Sequence, residues 1–262
     1  MRKLNRPDTP LKQCFLCRNS VFAKLSRVTR EADQKTVLGS VWLRDEPEPT
    51  RTRLSRDDIV RTAIKVLDRE GLDTFSMRVM ATELGTAATS ALYWRIANKN
   101  DLLELAVDEV LAEALLPADH PDWREQVTVV VQAAYHALWE HPWAPQLLAS
   151  HAGLGPNYQA LTDRVQTILK TAGFKGAHLD SAVSAIFHYL IGSAVTDSAW
   201  AAVIRRSGMN EFRWASEAGG QLGLDAASLA SYLNRKSLAG PEARFSSGLR
   251  VILIGLRPRE LS

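Results

Sequence analysis

From Ser55 onward, apolar positions recur at three- and four-residue spacing, and no sustained apolar–polar alternation predicts a strand. Ser55 can cap a first helix whose stripe is Ile59, Val60, Ala63, Ile64 and Leu67, with Gly71 as its stop. Ser76 can cap a second, in which Met77, Met80, Ala81 and Leu84 share a face and Gly85 ends the run. A third short helix is expected over about residues 89–96. Asn98 caps a fourth, with the stripe Leu102, Leu103, Ala106, Val107 and Val110, ending near Leu116–Pro117.

Two short helices joined by a glycine-containing turn predict a helix-turn-helix, and the third helix indicates its use. At about 100° per residue, Leu92 and Ile96 point toward a core, whereas Ser90, Tyr93, Trp94 and Ala97 point away. A helix pressed into a DNA groove has reason to expose a Tyr–Trp pair beside small hydroxylated residues: small side chains admit the backbone, and hydroxyls and rings reach base edges and phosphates. The competing reading packs Trp94 against a neighbouring helix.

The remaining chain continues in the helical period. A long helix is expected from Trp123, with Val127, Val130, Val131, Ala134, Leu138 and Trp139 inward, then a short one around Gln146. Further helices are expected over residues 156–172 and over a long, small-residue-rich stretch from His178 to about Gly208. Residues 209–227 read as a loop with one possible helical turn, followed by a short helix in DAASLASYLN. The last helix carries Phe245, Leu249, Ile252, Leu253 and Leu256 on one stripe.

The run GLDTFSMRVMATELG followed by ALYWRIANKNDLLEL resembles the N-terminal domain of the tetracycline-repressor (TetR) family of bacterial transcriptional regulators, over about a fifth of the chain. HPWAPQLL, GLGPN, AGF and FSSGLRVILIGL, in that order, are similar to the branch with a tetracycline-repressor-like C-terminal domain. The resemblance implies an all-α chain: a three-helix helix-turn-helix DNA-binding domain at residues 54–116, then a larger ligand-binding and dimerisation domain at 117–262. Residues 1–53 would be a poorly ordered extension and linker. It implies a homodimer on double-stranded DNA at a near-palindromic operator, released by a small-molecule effector. The long helix around His178–Ile204 and the final helix would pair with their copies, and Ala182, Ala185, Gly192 and Ser193 permit close approach.

By that resemblance Arg78 matches a base or phosphate contact, Ser90 a DNA-facing hydroxyl, Tyr93 a phosphate-binding tyrosine and Lys99 a phosphate-binding lysine. Thr89 and Trp94 complete the expected DNA-binding set. The physics agrees. An arginine grips a guanine edge or phosphate bidentately, and a helix start offers amides and partial positive charge to a phosphate. Between Gly85 and Leu92 the chain has one residue more than the family's usual spacing. Placed in the turn, the extra residue leaves Leu92, Tyr93 and Ile96 in their roles.

Charge supports a nucleic-acid end. Residues 1–50 carry a net +4 and residues 51–100 a net +3, while residues 101–262 carry −4. No uninterrupted run of about 18 apolar residues predicts a membrane span, and the basic N-terminus lacks the apolar core of a signal peptide, so a cytoplasmic protein is expected. Cys14 and Cys17 form a C-x-x-C without nearby partner ligands, read as incidental thiols or as a redox or metal sensor. Residues 1–50 read as a disordered segment, a basic arm or an upstream extension. No G-x-S-x-G, Walker A, HExxH or dinucleotide loop predicts an enzyme, a cofactor or a metal site. Trp139, His141, Trp143, His151 and Tyr189 are the expected effector-binding set, with ordinary core packing as the alternative. The competing functional classes are a helical ligand-binding protein without DNA recognition and an α-helical enzyme.

Overall fold

The computed structural model of the chain describes residues 40–43, 55–85, 90–93, 96–151, 153–223, 225, 228 and 240–258. Outside them lie residues 1–39 with both cysteines, the linker before Ser55, the turn holding the extra residue, Thr89 and Trp94, the side chain of Ser90, and most of DAASLASYLN. Among the described residues every regular element is helical, and these residues fall in one compact unit.

Local sequence explains most of the boundaries. Helix α1 (Arg56–Glu70) opens on a full capping box: Ser55 accepts from the Asp58 amide, and the Asp58 side chain accepts from the Ser55 amide. Its inner face is Ile59, Val60, Ala63, Val66 and Leu67. Helix α2 (Met77–Glu83) opens on Ser76, and α3 (Ser90–Tyr93) follows. Gly71 and Gly85, the two expected stops, both adopt positive φ, at 78° and 64°. Helix α4 (Lys99–Ala112) is capped by Asn98, whose side chain accepts from the Asp101 amide.

Helix α4 is the axis of the fold. It packs against α1, and against α5 (Trp123–Glu140), α6 (Ala144–Ser150) and α7 (Pro156–Thr171). It is therefore buried on nearly every side, well beyond the expected stripe, and its buried residues include Asp101, Glu104 and Asp108. Helix α8 (Gly176–Ser207) has the length and apolarity of a membrane span, but its Leu179, Val183, Ile186 and Leu190 are buried and it packs on α5, α6, α7 and α10 (Pro241–Gly255). Core side chains form one continuous cluster from Ile59 to Leu253.

One expectation fails. The region read as a loop contains α9 (Glu211–Gln221), capped by Asn210. Trp214 meets the edge of Trp200, and the Trp200 indole donates to Glu211, so a contact with α8 holds a helix whose Gly219–Gly220 pair argues against it.

Candidate nucleic-acid interface

The residues expected to meet DNA lie on α2, α3 and the start of α4, and Ser76 and Asn98 cap α2 and α4. On α2, Met77, Met80 and Ala81 turn inward, which leaves Arg78 exposed on the opposite side. On α3, Leu92 is fully buried and Tyr93 is 50% exposed. Ile96 is buried and donates its amide to the Leu92 carbonyl at 2.8 Å. This is the in–out pattern that the sequence period predicts for Leu92, Tyr93 and Ile96.

Lys99 is the first residue of α4. Its ammonium donates to the Phe75 carbonyl just before α2 and lies 5.5 Å from the Phe75 ring centroid. The lysine thus joins the starts of α2 and α4. On α1, Arg69 forks between Glu70 at 2.8 Å and Glu83 at 2.9 Å, and Arg61 pairs with Asp58. The Arg69 guanidinium holds the Glu83 carboxyl below the usual range, and the Ser55 and Arg61 hydrogen bonds do the same for Asp58. Among the described residues neither Arg78 nor Lys99 has a carboxylate partner.

The five residues expected to line an effector pocket lie at several places among the described residues. His141 and Trp143 converge on α1 instead: His141 Nδ1 and Trp143 Nε1 both lie 2.7 Å from Asp68 Oδ1, and His141 Nε2 faces Glu113 at 3.3 Å. They join the helix-turn-helix to α5 and α6. Trp139 is half-buried on α5. His151 borders a small cavity among α4, α6 and α7. Tyr189 lines an open cleft of about 430 Å³ between α8 and α10, with Asp197, Arg244 and Phe245.

The sequence reading missed two carboxylates inside α4. Glu104 accepts from the Ser40 hydroxyl at 2.6 Å and from the Val41 amide at 3.1 Å. Asp108 accepts the Asn157 and Tyr158 amides at 3.1 and 3.0 Å, capping α7. Burial pushes the Asp108 carboxyl up, and these amides oppose it. The available signal was that Glu104 and Asp108, four apart, fall on the same side as apolar residues of the run. A third group, missed likewise, is the Tyr135 hydroxyl donating to Asp197 at 2.7 Å beside Arg244. Burial and the neighbouring Asp197 carboxylate push the Tyr135 hydroxyl far above the usual phenol range. Among the described residues no group of three or more His, Cys, Asp or Glu could hold a metal ion.

Comparison with known proteins gives these residues a context. Residues 116–259 match the family described as tetracyclin repressor-like, C-terminal domain. An HTH-type transcriptional regulator of Saccharopolyspora erythraea is 38% identical over 164 residues, 62% of this chain and 69% of that one. The HTH-type transcriptional repressor DrrR1 of Streptomyces coeruleorubidus is 33% identical over 167 residues, 63% of this chain and 60% of that one. The crystal structure of the TetR family protein ActR of Streptomyces coelicolor in complex with actinorhodin superposes with a TM-score of 0.64 at 29% identity, over 78% of this chain and 97% of ActR.

Proposed function

The chain belongs to the tetracycline-repressor family and is a helix-turn-helix transcriptional regulator of ligand-responsive type, and from that premise we propose how its residues do the work. The DNA-binding part is residues 54–116 and the effector and dimerisation part residues 117–262. Tyr93 and Lys99 hold phosphates, and Arg78 reaches a base edge or phosphate from α2. By the family resemblance Ser90, Thr89 and Trp94 would join them in contacting DNA. The observation that carries this reading is the exposed Tyr93 between buried Leu92 and Ile96, together with Arg78 and Lys99, which no described carboxylate neutralises.

Two copies would pair through α8 and α10 and set their reading helices in successive major grooves, about 34 Å apart, of a near-palindromic operator. ActR binds actinorhodin; here an effector among the C-terminal helices would favour a conformation whose reading helices no longer match the groove spacing. The relative named as a repressor supports repression as the sign. Helix α4 and the Asp68–His141–Trp143 joint are the mechanical link, because both tie the helix-turn-helix to the effector part. The protein would act in the cytoplasm, and no catalytic step enters its mechanism.

Selection of bound DNA from a random pool at two salt concentrations tests this. The expected result is an inverted repeat whose half-site spacing fixes the distance between reading helices. Tyr93→Ala and Lys99→Ala should weaken binding to every sequence and lower the salt slope by about 1 each, whereas Arg78→Ala should also relax sequence preference. Unchanged operator affinity in all three would overturn the placement of the reading face.

A further inference from the structure

The segment just upstream of the helix-turn-helix is folded back onto α4. Ser40 is 6% exposed and Glu104 7% exposed, and they bond directly across 64 residues of chain. With the Val41 amide as a second donor, the segment supplies the hydrogen bonds that a buried carboxylate needs. Val41 and Trp42 pack on the core, and Trp42 lines the cavity walled by Val107, Leu111, Leu148 and Tyr158. About 20 Å³ of that cavity remains free. This is room for about one water and far less than a drug-sized molecule needs.

We propose that Ser40–Trp42 is a tethered occupant of an effector site, and that an aromatic amine is the class of molecule that displaces it. This rests on the regulatory reading above and adds to it the site's ligand chemistry and a built-in competitor. Trp42 provides the flat apolar body, and the Ser40 hydroxyl and Val41 amide provide the donors to Glu104. A replacement has to bring both. An aromatic ring without donors leaves the Glu104 carboxylate buried and unsatisfied, and an aromatic acid sets two carboxylates against each other. Glu104 sits in the middle of α4, the helix that also begins with Lys99, so exchange at Glu104 acts on the element that joins effector and reading face. A tether also lowers the apparent affinity of any free ligand by the fraction of time the site stands open.

The test uses the full chain and two probes, tryptamine and indole-3-acetate, titrated calorimetrically. Tryptamine should bind Trp42→Ala about tenfold or more tightly than the unaltered chain, and Ser40→Ala should shift it the same way by less. Indole-3-acetate should bind none of them, and Glu104→Gln in the Trp42→Ala background should remove the preference for ammonium over carboxylate. Tryptamine should also displace operator DNA from Trp42→Ala at concentrations that leave the unaltered chain bound. If Trp42→Ala does not fold by circular dichroism, Ser40→Ala carries the same comparison. Equal tryptamine affinity in all chains, equal binding of the two probes, or no binding to any would overturn the proposal. Loss of operator binding by the unaltered chain, with the tryptamine pattern intact, would instead break the regulatory reading and leave the tethered occupant standing.

Discussion

Helices α4 and α10 are near equals in length, 14 and 15 residues, and both are rich in branched aliphatic side chains. Their surroundings differ. The chain encloses α4, including the carboxylates of Glu104 and Asp108, each of which is met by donors from a distant segment. Helix α10 buries Phe245, Leu249 and Leu253 but leaves Val251 and Ile254 72% and 58% exposed. Next to it, Ala185 and Gly192 lie on the exposed side of α8, where small residues permit another helix to approach. An apolar helix whose surplus the chain consumes belongs to the core; one whose surplus is left over points to a second copy, the partner in the proposed dimer.

Cutting into each helix separates the two roles. Leu102 is fully buried in α4, and Leu102→Ala should lower folding stability by about 3 kcal/mol. Urea denaturation at several protein concentrations should show the same loss at each, because the lost contacts lie within one chain. Trimming α10 should act elsewhere. Val251→Ala with Ile254→Ala should leave the helical circular dichroism spectrum unchanged and weaken self-association by about tenfold to a hundredfold, or about 1.4 to 2.7 kcal/mol. Sedimentation equilibrium reads this directly. Unchanged association would place the interface away from the outer face of α10, and a loss of folding without dissociation would make α10 a second core helix.

The same contrast explains what the sequence could reveal. Helices α1, α2 and α4 to α8 were legible because their signals are local: Ser55, Ser76 and Asn98 as caps, glycine stops, and stripes at helical spacing. The inward Leu92 and Ile96 and the outward Tyr93 were legible for the same reason. Helix α9 was not, since an indole contact from α8 stabilises it against its own glycines. The histidines and tryptophans of the C-terminal part looked alike in the sequence, yet His141 and Trp143 find Asp68, more than seventy residues away. Nor could any local pattern pair Ser40 with Glu104. Contacts of that kind depend on how helices are brought together, and periodicity carries no record of it.

Asp108 offers the smallest and most selective probe of α4. No Cβ fits at Gly155 without striking its carboxylate, so α4 and the start of α7 are in direct contact. Burial raises the Asp108 carboxyl above its unfolded value, while the Tyr158 and Asn157 amides partly offset the rise. A folded value above the unfolded one means that the folded chain holds this proton more tightly. The stability gained is therefore fully present below the unfolded value and is lost as pH rises through the folded one. Asparagine at this position cannot titrate, and its missing acceptor costs the same at every pH. The stability of the unaltered chain minus that of Asp108→Asn should thus fall as pH climbs through the raised carboxylate range and level off above it, in paired urea titrations. Parallel curves would mean that water reaches the carboxylate, and that α4 is less enclosed at its α7 contact than the contrast with α10 requires.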